Sequence, residues 1–312
     1  MDELPNIALT AGDPAGIGPE VVGAAFRDER VRARMRLVGI GPGAVRPVDG
    51  LGAGQHSWVD CEAPGSWEMG KVQASCGAAA LDALRIGHGL ASRGEVAALV
   101  TAPVNKEALH AAGERVEGQT ELLSRWAGVE RTGMLAVVGN LRVMLLTRHM
   151  PLVQAIASIE PDRVVDHLAL LAESLDGLGI RNPRLALAGL NPHAGEHGLL
   201  GCEEGDLLVP AVERAREDGL DVTGPVSPDA VFVQARDGLY DGVLALYHDQ
   251  AFIALKLIGQ ERGLTVLAGL PYLRVSPVHG TAFDIAGQGR ASSENLIHAL
   301  IQAADWCRPR PA

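Results

Sequence analysis

Short apolar runs alternate along the chain with longer segments typical of helices. Glycine, proline or polar residues end each run. The runs predict strands at residues 7–10, 35–40, 97–101, 134–139, 142–146, 184–190 and 242–247. The longer segments predict helices that begin near Pro19 and Gly118, and helices at 73–90, 159–178, 206–217 and 294–306. Strands that alternate with helices predict an α/β protein.

Glycine and asparagine punctuate this pattern. The alanine-rich helix at 73–90 is predicted to be interrupted at Gly77 and Gly87, and residues 41–65 are predicted to form a loop. Asn140 separates two apolar runs, which predicts a hairpin. The glycine-rich residues 11–20 follow the first strand but match neither common phosphate-loop pattern. They form either an anion-binding helix start or a tight turn in which Asp13 accepts backbone amides.

The predicted strand at 242–247 is apolar at consecutive positions, so both of its faces are expected to be covered. It runs directly into His248, Asp249 and Gln250, and Lys256 follows about two helical turns later. Ligands bind at the carboxyl ends of strands in open α/β sheets. These polar residues therefore indicate either a capped turn or a site for a metal or substrate.

Three histidines, His149, His193 and His248, follow predicted strands in the same way. The carboxyl ends of strands from distant segments converge at one sheet edge, so three imidazoles there would suit Zn²⁺ or another first-row divalent cation. Taken singly, each histidine is better explained as a turn residue that satisfies backbone groups, and only the repeated placement of the three favours a metal site. Four further charged residues are predicted near this edge, either as site residues or as ordinary surface ion pairs: Asp229, Asp249, Lys256 and Arg274.

The composition excludes several classes of protein. The 312-residue chain has a formal net charge of −11 and no block of Lys or Arg, so nucleic-acid binding is not expected. The four cysteines form no CxxC pair and are expected to be free thiols. The sequence shows neither a signal peptide nor a long apolar span, so we expect no membrane association and a cytoplasmic location.

Several motifs, taken together, resemble one family. TAGDPAGIGPE, VTAPVNKEAL, GLNPHAGE, YHDQ, GLPYLR and HGTAFDIAG are similar, in order and spacing, to motifs of the 4-hydroxythreonine-4-phosphate dehydrogenase family of pyridoxal phosphate biosynthesis. The resemblance runs nearly the whole chain. It implies a two-domain fold like that of the isocitrate and isopropylmalate dehydrogenases, with a cleft between the domains. The first domain is predicted at 1–122 plus 258–312 and the second at 123–257.

The resemblance also implies the chemistry. The family oxidises a β-hydroxy acid with NAD and then removes CO₂, converting 4-phosphohydroxythreonine to 3-amino-2-oxopropyl phosphate. The resemblance implies a homodimer in which His149, His193 and His248 hold one divalent metal (Zn, Mg or Co), with His248 supplied by the partner subunit. The family's catalytic positions match Asp229, Asp249 and Lys256, its substrate positions match Gln119, Thr120, Lys256, Thr265 and Arg274, and its cofactor loop matches His279, Gly280, Thr281 and Asp284.

Three positions depart from the family pattern. Gln119 replaces a histidine that contacts substrate, Thr265 replaces an asparagine, and Arg148 precedes the first predicted metal ligand. These departures keep other substrates of related enzymes open, namely a terephthalate cis-dihydrodiol dicarboxylate or a phosphorylated sugar acid. A metal- or phosphate-binding protein without catalysis is the alternative from another class. A hydrolase is disfavoured because the sequence has neither GxSxG nor HExxH.

Overall fold

The computed structural model describes residues 4–49, 51, 55–259 and 262–308. The chain has two compact units: unit 1 comprises Met1–Glu130 and Leu270–Ala312, and unit 2 comprises Arg131–Gly269. The division predicted from the sequence has its boundaries at residues 122 and 258 instead. Its outermost segments, 1–3 and 309–312, lie outside the described residues.

Unit 1 contains a five-stranded parallel sheet in the order β3-β2-β1-β4-β11. Its strands are β1 (Asn6–Thr10), β2 (Arg36–Gly41), β3 (Ser57–Asp60), β4 (Ala98–Thr101) and β11 (Leu273–Pro277). β1 and β4 are almost continuously buried, as expected for strands with helices on both faces. The prediction of a loop at 41–65 is wrong at β3, whose two central residues are half-buried and whose end residues are exposed. Residues 50 and 52–54 of that segment lie outside the described part.

The helices of unit 1 are α1 (Gly18–Arg27), α2 (Glu29–Arg32), α3 (Ala74–Ser92), α4 (Lys106–Ala111), α5 (Gln119–Ala127) and α11 (Glu294–Cys307). The predicted interruptions of α3 at Gly77 and Gly87 are wrong, because the helix continues through both. A side chain at Gly77 would collide with the carbonyl oxygen of Ala108, and one at Gly87 would lie 2.8 Å from Leu99. These glycines therefore allow close packing.

Unit 2 contains a six-stranded mixed sheet in the order β10-β5-β6-β9-β7-β8. Its strands are β5 (Gly133–Val138), β6 (Leu141–Leu145), β7 (Leu185–Ala188), β8 (Val222–Val226), β9 (Gly242–Ala245) and β10 (Leu264–Ala268). β5 is antiparallel to β6 and β10, which confirms the hairpin predicted at Asn140, and the other pairs are parallel. The chain is thus mixed α/β, as its alternating pattern predicts.

The helices of unit 2 are α6 (Leu152–Ala157), α7 (Pro161–Gly177), α8 (Val209–Glu217), α9 (Val231–Arg236) and α10 (His248–Gly259). A π-type turn, Glu204–Leu208, leads into α8. The core lies between the sheet and these helices, where Val143 and Val243 pack with Leu255 of α10. Because α10 starts three residues after β9, its first residues lie at the carboxyl end of that strand. Across the described residues, no helix has the length and apolar character needed to cross a bilayer.

Candidate active site

Two of the predicted metal ligands lie side by side in unit 2. β6 and β9 are parallel neighbours, so the residues that follow them meet at one sheet edge. The ring centroids of His149 and His248 are 5.5 Å apart. The hydroxyl of Thr147 donates to the carbonyl oxygen of Leu246 at 2.7 Å, which ties the two strand ends together. The two imidazoles line a pocket of about 240 Å³ with Arg148 and other residues.

His248 is held from two directions. Its Nδ1 lies 2.7 Å from Oδ1 of Asp249, and its ring stacks on Phe252 with 4.4 Å between the centroids. The carboxylate of Asp249 favours a proton on Nδ1, which leaves the Nε2 lone pair as the ligand. A carboxylate behind an imidazole is the usual second partner of a metal-binding histidine. The donor chemistry at this edge therefore suits a divalent cation.

His193 has a different environment. It lies in the short turn Pro192–Gly198 after β7, where residues 193–197 all have positive φ between 44° and 78°. Its Nδ1 lies 2.6 Å from Oε1 of Glu196, and this hydrogen bond raises the pKa of the imidazole. Among the described residues, no group of three or more His, Cys, Asp or Glu side chains is arranged to hold a metal ion. The three-histidine site therefore stays a prediction.

A buried carboxylate supports the turn that carries His193. Oε1 of Glu204 accepts the backbone N–H groups of Leu190 and Asn191 at 2.9 and 2.7 Å, and Oε2 accepts the Asn191 side-chain amide at 2.9 Å. Glu204 is only 5% exposed. Sequence analysis did not single it out, although the run of acidic residues in CEEGD just after NPHAGEH is a signal. Because it anchors the start of the left-handed turn, Glu204 is a positioning residue.

The predicted catalytic residues are on the surface of unit 2. Asp229, Asp249 and Lys256 are all exposed. The hydroxyl of Ser227 donates to Oδ1 of Asp229 at 2.5 Å, and this bond lowers the pKa of the Asp229 carboxyl, with a smaller contribution from the charge of His193. Thr265 is buried on β10, opposite Ala136.

In unit 1, Arg274 is buried on β11 and is 4% exposed. Its Nη2 donates to the hydroxyl of Thr101 at 2.7 Å and to Oε1 of Gln119 at 3.0 Å, while its buried Nε has no hydrogen-bond partner. Burial lowers the pKa of Arg274 to about 10. Gln119 and Thr120 begin α5, where the predicted substrate positions Gln119 and Arg274 meet. Two further groups complete the cluster around Arg274 and Gln119 and were not predicted: the hydroxyl of Thr101, and the carbonyl of Ala102, which accepts from Nε2 of Gln119.

The predicted cofactor loop of unit 1 packs against the glycine-rich segment. The carbonyl oxygen of Thr281 accepts the N–H of Ile17 at 3.0 Å, and a side chain at Gly16 would lie 3.0 Å from Cβ of Thr281. Nδ1 of His279 lies 3.1 Å from the carbonyl oxygen of Gly280, while Asp284 is exposed. This close approach leaves little room for a side chain at position 16, which explains the glycine there. The glycine-rich segment therefore supports the predicted cofactor loop.

Asp13 lies in the turn that leads into this support. Its Oδ1 accepts the N–H of Ala15 at 2.9 Å, as the tight-turn alternative predicts. The side chain is fully buried, and burial raises the pKa of its carboxyl. The space beside Gly18 is also occupied, because a side chain at this position would collide with the carbonyl oxygen of Ala11. The start of α1 is therefore packed by protein atoms.

The model of the family described as "Pyridoxal phosphate biosynthetic protein PdxA" matches residues 29–303. The chain belongs to the PdxA family. This confirms the resemblance to the 4-hydroxythreonine-4-phosphate dehydrogenase family of pyridoxal phosphate biosynthesis that the sequence motifs indicate.

Relatives of this PdxA-family chain are named dehydrogenases. It is 39% identical to the D-threonate 4-phosphate dehydrogenase of Salmonella typhimurium, over 96% of this chain and 98% of the relative. It is also 39% identical to the 4-hydroxythreonine-4-phosphate dehydrogenase of Beijerinckia indica, over 98% and 96%. A crystal structure of 4-hydroxythreonine-4-phosphate dehydrogenase from Klebsiella pneumoniae superimposes with a TM-score of 0.88 at 36% identity, covering 97% of this chain and all of that one. The PdxA-family chain is accordingly a dehydrogenase that acts on a CH–OH group.

Proposed function

We propose that the protein is an NAD-dependent, metal-dependent dehydrogenase that oxidises the β-hydroxyl of 4-phosphohydroxythreonine and releases CO₂ to give 3-amino-2-oxopropyl phosphate. The observation that carries this proposal is Arg274. Its buried guanidinium forms no ion pair with any described residue, so its charge suits an oxyanion of a phosphorylated hydroxy acid. The finer fold assignment, that of the isocitrate and isopropylmalate dehydrogenases, is part of the same proposal.

The reaction balances without a further reactant. The hydroxyl carbon loses a hydride to NAD⁺ and its oxygen loses a proton, which leaves a β-keto acid. The carbon–carbon bond to the carboxylate then breaks, CO₂ leaves, and the resulting enolate takes up one proton. The net products are the ketone, CO₂ and NADH. When bound, a divalent cation supplies a Lewis acid for the hydroxyl oxygen, and the nicotinamide accepts the hydride.

The residues of each unit have distinct roles in this proposal. In unit 1, Arg274 binds an oxyanion and the hydroxyl of Thr120 donates a hydrogen bond beside it. The loop with His279 and Asp284 holds the adenosine end of NAD. In unit 2, His149, His193 and His248 hold the cation. Asp229 and Asp249 place carboxyl groups near those histidines, and Lys256 is available for a substrate oxygen or for proton transfer.

We also propose a homodimer in which His248 completes the metal site of the partner subunit. Exposed apolar side chains on α6 and α10 support it: Val153 is 79% exposed, Ile253 63% and Leu257 83%. Ile253 and Leu257 are four residues apart on one face of α10, the helix that begins with His248. Apolar residues exposed at this spacing are typical of a helix that packs against a second chain.

D-threonate 4-phosphate is the second candidate substrate, because the Salmonella relative is named for it. It is a phosphorylated sugar acid that differs from 4-phosphohydroxythreonine in having a hydroxyl at C2 instead of an amine. The same oxidation and loss of CO₂ would give dihydroxyacetone phosphate. Neither the buried guanidinium nor the histidines discriminate between the two, since both substrates carry the same phosphate, carboxylate and β-hydroxyl.

The test is NADH formation at 340 nm by the purified protein with a divalent cation present. The substrates are 4-phosphohydroxythreonine, D-threonate 4-phosphate and a terephthalate cis-dihydrodiol dicarboxylate. We expect the highest kcat/KM with the first and equal amounts of CO₂ and NADH. No NADH from any of the three would favour the alternative of a binding protein without catalysis. A cytoplasmic location remains a prediction, in keeping with the free cysteines Cys61, Cys76, Cys202 and Cys307.

A further inference from the structure

The side-chain amide of Gln119 is held at both ends. Its Nε2 donates to the carbonyl oxygen of Ala102 at 3.1 Å, and its Oε1 accepts from Nη2 of Arg274 at 3.0 Å. A carboxamide has one acceptor oxygen and two N–H donors. Oε1 accepts from Arg274 and one N–H donates to Ala102, so the one donor that remains on Gln119 is a neutral N–H. Gln119 thus differs from a histidine, which could present a charged or a neutral ring.

The partners of Arg274 are neutral. Thr101 and Gln119 are its hydrogen-bond partners among the described residues, and neither is a carboxylate. Burial lowers the pKa of Arg274 to about 10, and this outweighs the electrostatic effects of Tyr272 and Glu121, which raise it. Of these two, Glu121 is the carboxylate, and Tyr272 is a phenol whose own pKa is raised to about 12. The guanidinium is therefore charged at neutral pH, oriented by two neutral oxygens and not directly bonded to a carboxylate.

We propose that Gln119 is a positioning and specificity-determining residue that orients Arg274 and leaves its positive charge uncompensated for an oxyanion. This inference rests on the proposed function only in taking that oxyanion to be the substrate's phosphate or carboxylate. Glu at position 119 would still accept a hydrogen bond from Arg274 but would neutralise its charge. Met at position 119 would remove both hydrogen bonds and leave the charge unchanged.

The two substitutions give opposite rankings for the two possible roles of Gln119. If it acts by keeping Arg274 charged and oriented, Gln119→Glu weakens oxyanion binding most, by at least about 30-fold, and Gln119→Met weakens it by roughly 3- to 10-fold. If Gln119 only stabilises the fold, Gln119→Met is the more damaging because it breaks two hydrogen bonds, whereas Gln119→Glu keeps one.

Gln119→His adds a pH dependence. A neutral imidazole accepts from Arg274, whereas an imidazolium cannot and would repel it. Arg274 contacts this position directly, and Tyr272 and Glu121 act electrostatically on Arg274. Lys106 is also near, since its Cε lies 3.6 Å from the position of a Cβ at Gly118. The ratio of the variant's KM to the wild-type KM should therefore change between pH 8 and pH 6, whereas the same ratio for Gln119→Met should not. Dividing by the wild-type KM removes the titration of the substrate phosphate.

The experiment is isothermal titration calorimetry of the full chain with inorganic phosphate and, separately, with acetate, followed by KM and kcat for the turned-over substrate. The control is Gln55→Met, since Nε2 of Gln55 also donates to a main-chain carbonyl, that of Arg32 at 2.7 Å, with no guanidinium contact. We expect the control to bind and turn over like the wild type. In the position-119 variants we expect KM to rise while kcat stays within about threefold, because a residue that acts through Arg274 affects substrate binding rather than the chemical step.

The probe that loses affinity identifies the source of the oxyanion: phosphate for the phosphoryl group, acetate for the carboxylate. Unchanged binding of both probes by Gln119→Glu, or weaker binding by Gln119→Met than by Gln119→Glu, would overturn the proposal. Calorimetry needs no turnover. Failure of the proposed function, seen as no NADH formation by the wild type, is therefore distinguishable from failure of this inference.

Discussion

Nη2 of Arg274 donates to the hydroxyl of Thr101 across 2.7 Å, between the neighbouring parallel strands β11 and β4. We expect Thr101→Val to lower the free energy of unfolding by about 1.5–3 kcal/mol, because it leaves a buried charged donor with one partner fewer. Urea denaturation measures the change. The control is Thr147→Val, which removes a buried hydrogen bond to the carbonyl of Leu246 between neutral groups and should cost about 0.5–1.5 kcal/mol. Equal costs would contradict a charged Arg274.

The backbone N–H of Leu37 donates to Nδ1 of His56 at 3.0 Å, and burial lowers the pKa of this imidazole. The unfolded chain therefore binds a proton at higher pH than the folded one. The stabilisation is complete above the unfolded pKa of about 6.5 and is lost as the pH falls below it, by at most about 1.4 kcal/mol per pH unit. His56→Asn keeps an acceptor that does not titrate. We expect its free energy of unfolding to fall less than the wild type's between pH 7.5 and 5.5.

His167 provides a second case, since burial also lowers the pKa of its imidazole. Urea denaturation at pH 7.5 and 5.5 compares His167→Asn with the double variant His56→Asn/His167→Asn. We expect each substitution to reduce the pH dependence of the free energy of unfolding, and the two reductions to add in the double variant. If His56→Asn retains the full wild-type pH dependence, the folded protein does not hold His56 neutral.

Ala194 has φ 54° within the left-handed turn that carries His193. A left-handed conformation is unfavourable for an L-residue with a Cβ but not for glycine. We expect Ala194→Gly to raise the free energy of unfolding by about 0.5–1 kcal/mol, measured by urea denaturation. Ala78→Gly, within α3, should lower it by about 0.5–1 kcal/mol. Destabilisation by both substitutions would show that the turn is not left-handed at Ala194.

Chelation and ligand replacement test the metal. Dialysis against a chelator should abolish NADH formation, and added Zn²⁺, Mg²⁺ or Co²⁺ should restore it. We expect His248→Ala to reduce kcat/KM at least about 100-fold with an unchanged far-UV circular dichroism spectrum, because an imidazole ligand is lost. The control is His110→Ala, which replaces an exposed histidine of α4 in unit 1 that is not among the proposed ligands. A fully active His248→Ala protein would exclude His248 as a ligand.

A mixing experiment tests whether the metal site is shared between subunits. His149→Ala and His248→Ala are each expected to be inactive alone. If His248 serves the partner subunit, a heterodimer of the two variants contains one intact site, and full subunit exchange should restore about a quarter of the wild-type activity. If each chain uses its own His248, every site lacks a ligand and the mixture stays inactive.

The alternation of apolar runs and helical segments predicted most of the elements of both sheets because it reflects burial directly. It predicted β9 and the polar residues at its carboxyl end, and it predicted the hairpin from Asn140, since turn residues act locally. It failed at Gly77, which was interpreted as a break in a helix. The sequence contains no sign that the carbonyl of Ala108 approaches that position from a separate helix.

The candidate site shows the same limit. The motifs predicted Gln119 and Arg274 as site residues, but not that one orients the other, because their hydrogen bond joins residues 155 positions apart. Five consecutive residues in the left-handed region were also unforeseen, since only Gly195 among residues 193–197 is a glycine. Glu204 supports that turn from outside the motif. The acidic run around it is visible in the sequence, but its hydrogen bonds to the backbone of Leu190 and Asn191 are not.

The two segments of unit 1 also set the order in which the protein can form during synthesis. Unit 2 is continuous from Arg131 to Gly269 and emerges whole before β11 and α11, which complete unit 1. Domains generally fold as units while the chain is made. One edge of β4 pairs with β11, so that edge is unpaired until β11 has been synthesised. The hydroxyl of Thr101 likewise lacks the guanidinium of Arg274, which is 173 residues further along the chain. The cluster of Arg274, Thr101 and Gln119, proposed to bind an oxyanion, is therefore among the last parts of the molecule to assemble, and a ribosome-bound chain that stops before Arg274 lacks it.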